Sequence, residues 1–175
     1  SYREAGNHSA VVGTLSDWVA KNPNDIRVKM VLASTYQGGG DQVNAVKTYE
    51  GLLEAVPSNV VVMNNLAWLY FQAGDSRSVA LAERAVEIAP ETPEVVDTLG
   101  WILVQKGEAR RGLRYLKQAA LGAPDNSEIR YHLAVGYSKI GLNDQAVDEL
   151  QRLVSSGKNF PQRAEAQQLL QKLTG

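Results

Sequence analysis

Residues 93–124 read PEVVDTLGWILVQKGEARRGLRYLKQAALGAP, and the same order of small, apolar and turn-forming residues recurs along the chain. One proline lies near the end of each of four units, and these prolines, Pro23, Pro57, Pro90 and Pro124, are separated by 34, 33 and 34 residues. A near-constant period of this length is typical of a solenoid, in which one supersecondary unit stacks on the next. The sequence therefore predicts a repeat protein.

Three columns of residues emerge when the segments are aligned on these prolines. The first half of each unit has a leucine, then a small residue, and ends at a glycine. The columns are Leu32, Leu66, Leu99 and Leu133; Ala33, Ala67, Gly100 and Ala134; and Gly40, Gly74, Gly107 and Gly141. Apolar residues recur at helical spacing on both sides of each glycine, and glycine suits a helix end that needs a positive φ. Each unit is predicted to be a pair of helices that approach closely at the small residues.

This pattern resembles the tetratricopeptide repeat, whose signature has a 34-residue period and the order W-x2-L-G-x2-Y, A-x3-F and P. The resemblance covers nearly the whole chain and recurs four times. It departs from the signature at the fourth position, which is not aromatic and carries Lys29, Met63, Val96 and Arg130. The resemblance implies an all-α fold, a right-handed superhelical solenoid of antiparallel helix pairs with a C-terminal capping helix.

The same alignment divides the chain into a single repeat array. The predicted parts are a partial repeat, four full repeats and a capping helix, at 1–25, 26–59, 60–92, 93–126, 127–157 and 161–173. The chain starts at Ser1 without an initiator Met. We therefore expect it to be a fragment of a longer protein, with more repeats before residue 1.

Composition narrows the classes of function. Lys and Arg total 18 against 19 for Asp and Glu, a net charge of -1, and this balance argues against nucleic acid or an anionic membrane as the main partner. The absence of cysteine excludes disulfides and thiolate sites. With only His8 and His132 as histidines, we expect no metal site and no cofactor. No run approaches the roughly 20 apolar residues of a membrane span.

No catalytic constellation can be assembled from the sequence. The two histidines lie far apart and no G-x-S-x-G motif is present. Glu91, Glu94 and Asp97 cluster around one predicted helix start, and we interpret them as carboxylates that favour the helix dipole rather than as an acid–base pair or metal site. The chain is predicted not to be an enzyme.

In the family that the chain resembles, the first helices line a concave groove. The resemblance places ten candidate partner-binding residues there: Asn64, Asn65, Trp68, Phe71, Gln72, Asp97, Trp101, Gln105, Tyr131 and His132. Trp68 and Trp101 share one column and are expected to lie side by side on adjacent helices. Exposed aromatic residues among amides are typical of peptide-recognition surfaces. The alternative is that both tryptophans are buried and tighten the stack, with partial exposure between the two.

The leading hypothesis is a protein–protein interaction scaffold that takes a peptide or helix of a partner in this groove. Structural self-association through stacked repeats is one alternative, and glycan binding by the groove aromatics is another. Chaperone-binding members of the family hold a C-terminal carboxylate with basic clamp residues. Glu94 and Thr98 stand where that clamp requires basic groups, so we expect no binding of such an acidic tail.

Several short sequence segments resemble the last repeats of long bacterial tetratricopeptide lipoproteins. They are residues 64–68, 82–85, 97–102 and 131–134, together with Phe160-Pro161. Those lipoproteins accompany PEP-CTERM/exosortase sorting and exopolysaccharide systems. The resemblance implies the cell envelope, with lipid anchorage of the full-length form on the periplasmic side and a role in exopolysaccharide or protein-sorting assembly. The residues themselves leave a cytoplasmic location open.

Overall fold

The computed structural model describes the backbone of residues 2–175 and the side chains of residues 8–175. Ser1, where the predicted partial repeat starts, lies outside the described residues. Over residues 2–175 the regular structure is ten α-helices, and no strand occurs there. The helices are α1 (Tyr2–Lys21), α2 (Ile26–Gly38), α3 (Gln42–Ala55), α4 (Val60–Gln72), α5 (Arg77–Ile88), α6 (Pro93–Gln105), α7 (Ala109–Gly122), α8 (Ser127–Lys139), α9 (Asn143–Ser155) and α10 (Arg163–Thr174). The all-α class is thereby confirmed.

The column glycines turn the chain between the two helices of each pair. Gly40, Gly74, Gly107 and Gly141 have φ values between 72° and 91°, a region that costs little only for a residue without Cβ. The prediction of a positive φ at these positions is confirmed. Each turn is only a few residues long, and α2 packs antiparallel against α3, α6 against α7, and α8 against α9.

The chain divides into two compact units, Ser1–Leu81 and Ala82–Gly175, and the division falls within α5. In the first unit α1, α2, α3 and α4 pack in chain order. Its buried residues include those of the predicted columns, among them Ala33, Leu66 and Ala67. Tyr49 of α3 is also fully buried. Apolar burial of this kind supplies most of the stability of a short helix in a repeat protein.

The second unit is built around the close pair α6 and α7. A Cβ added to Gly112 of α7 would lie 2.5 Å from the carbonyl oxygen of Gly100 in α6. The two backbones therefore touch where the sequence predicted small residues. Around them, apolar side chains from α6, α7 and α8 form one buried cluster that includes Val104, Leu116 and Ile129.

Helix α10 continues the second unit beyond the last pair. Ala166 of α10 and Phe160, which precedes the helix, are buried with Ala134, Leu150 and Leu153. Leu169 of α10 contacts both this cluster and the one formed with α6 and α7. Helix α10 thus packs beside α8 and α9 in the way that the first helix of a further pair would.

Candidate functional site

Five of the ten candidate residues lie on α4, in the first unit. Trp68 and Phe71 are both half-buried, and their rings meet at a centroid distance of 5.5 Å with 39° between the planes. Trp68 is therefore neither an open contact residue nor a fully buried one. Asn64 is half-buried as well, and Gln72 is exposed.

The amides of α4 are partly engaged within the first unit. Asn65 Nδ2 donates to the hydroxyl of buried Tyr49 at 2.9 Å. Burial raises the pKa of Tyr49, and the hydrogen bond from Asn65 acts against this rise. Gln72 Oε1 accepts a longer bond of 3.4 Å from Gln42 Nε2. The side-chain amide of Asn65 thus hydrogen-bonds a core residue, whereas binding of a peptide backbone by these amides stays a prediction.

In the second unit, Asp97 of α6 and His132 of α8 form a buried pair. His132 Nδ1 lies 2.8 Å from Asp97 Oδ2, so the ring N–H donates to the carboxylate. Both residues are about 93% buried. The interpretation of Asp97 as a carboxylate serving a helix start is wrong, because Asp97 lies beyond the first turn of α6 and points into the protein. Glu94 does lie in that first turn.

The second oxygen of the same carboxylate has no partner. Asp97 Oδ1 is shielded from solvent and accepts no hydrogen bond from the residues that the structure describes. Burial raises the pKa of Asp97, with the hydrogen bond from His132 acting in the opposite direction. An unpaired buried acceptor is costly, because folding removes its water without replacing it.

Trp101 stacks on the histidine of this pair. The indole and imidazole rings are 4.0 Å apart and 20° from parallel. The ring of Tyr131 lies 6.3 Å from that of Trp101, tilted by 46°, and 6.0 Å from that of His132, tilted by 53°. Both Trp101 and Tyr131 are half-buried. We call the four residues Asp97, Trp101, Tyr131 and His132 the Trp101 cluster.

The Trp101 cluster also borders α10. Tyr131 packs against the apolar residues beneath α10. Burial raises the pKa of Tyr131, and the nearby carboxylate of Glu165 in α10 adds to the rise. Gln162, which precedes α10, donates from Nε2 to Glu128 Oε1 of α8 at 3.0 Å. The cluster therefore lies among three helices of the second unit, α6, α8 and α10.

The structure brings together the rings of three of the five candidates from this unit, Trp101, Tyr131 and His132, and a fourth, Asp97, is bonded to His132. The fifth, Gln105, is exposed in the last turn of α6. The expected side-by-side placement of Trp68 and Trp101 joins the two units and stays a prediction. Among residues 8–175, no group of three or more His, Cys, Asp or Glu side chains has the arrangement of a metal site.

Residues 103–173 match the family model of the tetratricopeptide repeat. That segment covers α7 to α9 completely and most of α10, and it includes Tyr131 and His132 of the Trp101 cluster. Together with the helix pairs of residues 2–175, the match identifies the fold as that of tetratricopeptide-repeat proteins.

Solved structures with the same fold cover almost all of the chain. A thermophilic TPR protein of Thermus thermophilus is 22% identical, with a TM-score of 0.76 over 97% of this chain and 94% of that one. A tetratricopeptide repeat protein of Parabacteroides merdae is 16% identical, with a TM-score of 0.78 over 98% of this chain and 68% of that one. No curated protein matches the chain by sequence.

An enzyme also contains this fold. The O-GlcNAc transferase of Thermobaculum terrenum is 22% identical, with a TM-score of 0.71 over 75% of this chain and 26% of that one. At these identities the likeness concerns the fold alone.

Among the described residues, no helix combines the length and the apolar character needed to cross a membrane.

Proposed function

We propose that the chain is a non-enzymatic scaffold that binds a peptide or helix of a protein partner at the Trp101 cluster. The observation that carries this proposal is the fixed position of a half-buried tryptophan. Trp101 stacks on His132, and His132 is held in turn by the buried carboxylate of Asp97. A large aromatic side chain that is already ordered loses little entropy on binding, which is why such residues dominate binding energy at interfaces.

The arrangement of His132 supports a binding role over a catalytic one. A buried Asp–His pair is also part of catalytic triads, in which the second ring nitrogen bonds a nucleophile. Among the described residues His132 has one hydrogen-bond partner, Asp97, and no hydroxyl group bonds its ring. Its ring face is occupied by Trp101. The pair can therefore hold Trp101 in place without any reactive partner.

A displayed library of random peptides, panned against the purified protein, tests the binding role. The double variant Trp18→Phe/Trp68→Phe leaves Trp101 as the one tryptophan of the chain. We expect enriched peptides to change the emission of Trp101 in this variant, and Trp101→Ala to abolish their binding while the circular dichroism stays helical. The matched variant Trp18→Phe/Trp101→Phe, in which Trp68 reports, should show no change.

Two other results would contradict the proposal. If the library yields no binder, or binders that survive Trp101→Ala, the Trp101 cluster is not a peptide site. If Trp101 emission instead changes with protein concentration while sedimentation shows growing mass, self-association is the function. A response to oligosaccharides alone would favour glycan binding.

For the cellular setting we propose the bacterial envelope, in exopolysaccharide or protein-sorting assembly with lipid anchorage of the full-length form. The support is the resemblance of residues 64–68, 97–102 and 131–134 to repeats of envelope lipoproteins. Fractionation of the source cells with an antibody against this chain tests it. Recovery with the membrane fraction is expected, and recovery with the cytoplasmic fraction would overturn it.

A further inference from the structure

We propose that the partner segment bound at the Trp101 cluster is cationic, with Lys or Arg side chains that lie against Trp101 and Tyr131. This inference rests on the proposed function and names the chemistry of the partner. Its support comes from the charges around the cluster, from the unpaired oxygen within it and from its aromatic rings.

Three glutamates surround the cluster at equivalent places in the stack. Glu94, Glu128 and Glu165 lie in the first turns of α6, α8 and α10, and all three are exposed. Glu94 and Glu128 act on the carboxylate of Asp97, and Glu165 acts on the hydroxyl of Tyr131, through their charges. The charges of the three glutamates thus add to the negative potential of the cluster.

No basic side chain of the described residues neutralises these glutamates. Their carboxylates form no ion pair there. The basic residues nearest in sequence are directed elsewhere: Arg130 of α8 pairs with Glu149 of α9, and Arg163 of α10 donates to the carbonyl oxygens of Lys158 and Val154. The face around the cluster therefore carries uncompensated negative charge.

A carboxylate in the first turn of a helix also favours the helix dipole, so the glutamates alone would not identify a ligand. The second observation is Asp97. It is about 93% buried, lies within reach of the charges of Glu94 and Glu128, and leaves Oδ1 without a donor. Because no donor inside the protein bonds Oδ1, the negative charge of Asp97 is only partly compensated there, and it adds to that of the glutamates in favouring a positively charged group near the rings.

The aromatic rings add to this selectivity. A cation is attracted to the face of an aromatic ring, and Trp is the strongest such partner. A guanidinium group can stack on a ring and at the same time bond a carboxylate with two N–H groups. Glu94, Glu128 and Glu165 lie in the first turns of the helices that carry or border Trp101 and Tyr131, so one cationic side chain of the partner would meet both rings and carboxylates at this face. Arginine is therefore the residue that fits best.

The experiment repeats the library selection and scores the charge of the enriched peptides. We expect enrichment of Arg and Lys, and affinities that fall as the salt concentration rises, because salt screens exposed charges. The variant Glu94→Gln/Glu128→Gln/Glu165→Gln should weaken the best binders by about tenfold or more, since several exposed charges act together.

A matched variant removes the same amount of charge elsewhere in the second unit. Glu87→Gln/Asp144→Asn/Asp148→Asn neutralises three exposed carboxylates on α5 and α9, and it should change the affinity by less than about twofold. Equal weakening by both triple variants would overturn the inference, because it would then reflect net charge alone. Enrichment of neutral or acidic peptides that still require Trp101 would overturn the inference and leave the proposed function standing. If nothing binds, the proposed function fails first.

Discussion

Gly112→Ala tests whether the close approach of α6 and α7 limits the fold. In an exposed helix interior, the same change stabilises a protein by about 1 kcal/mol, because alanine has the higher helix propensity. At Gly112 the new Cβ would lie 2.5 Å from the carbonyl oxygen of Gly100 and 2.9 Å from the backbone nitrogen of Val104. Ordinary contact begins at 3.4 Å. The carbonyl contact falls short by about 0.9 Å, the difference between 3.4 Å and 2.5 Å, and neither backbone atom can rotate away.

The two helices must therefore move apart by most of this distance. A gap of about 0.5–1 Å removes a quarter to a half of the dispersion energy of each contact that it opens, and overpacking of this kind costs about 3 kcal/mol. After the gain in helix propensity, Gly112→Ala should lower the free energy of unfolding by about 2 kcal/mol. With a urea dependence of roughly 2 kcal/mol per M, the unfolding midpoint falls by about 1 M.

Urea unfolding followed by circular dichroism measures this shift. Gly51→Ala is the matched control, because Gly51 is exposed in the interior of α3 and its Cβ would meet no atom within 4 Å. That variant should gain up to about 1 kcal/mol. If Gly112→Ala is as stable as the wild type or gains as much as Gly51→Ala, the backbone contact does not limit the packing of α6 on α7.

Two further predictions concern stability. Asn126→Ala should lower the free energy of unfolding in urea by about 1 kcal/mol, because the Asn126 side chain accepts hydrogen bonds from the backbone N–H groups of Glu128 and Ile129 at the start of α8. Thr92→Ala is the control, at a cap with no side-chain hydrogen bond, and it should lower this free energy clearly less. Equal losses would refute the capping argument. Burial raises the pKa of Asp97 in the folded protein above its ordinary value of 3.8, so the folded state holds the proton more tightly than the unfolded state. The stability that the protonated carboxyl contributes is therefore fully present below pH 3.8 and is lost as the pH rises through the folded pKa. The unfolding free energy of the wild type minus that of Asp97→Asn should therefore fall as the pH is raised from about 3.5 to about 7, and a rise over this range would contradict the sign.

The helix pairs could be predicted because their signals are local. The glycine after each first helix needs a positive φ whatever surrounds it, and the small residues at Gly100 and Ala134 mark places where backbones approach. These requirements act within one repeat and recur with the period of the fold. The all-α class follows from them without knowledge of the contacts between helices.

The site could be predicted only in part, because burial within a face depends on how neighbouring helices are rotated. The repeat pattern assigns Asp97 and His132 to the groove face, 35 residues apart, but does not say that they bond each other below Trp101. Asp97 and His132 occupy neighbouring columns of successive repeats, and this is the one sequence signal that could have indicated the pair. Asn65 is a similar case, since its use by Tyr49 depends on packing between α3 and α4.

The order of the helices also bears on how quickly the chain can fold. Helices α1 to α4 each contact the next one along the chain, as do helices α6 to α10, and α6 also reaches α8. Contacts between near neighbours in sequence require only short loops to close, so little chain entropy is lost before the first favourable contacts form. Proteins of such low contact order fold in microseconds to milliseconds. Each helix pair with its glycine turn can serve as a nucleus, from which order spreads to the adjacent pair.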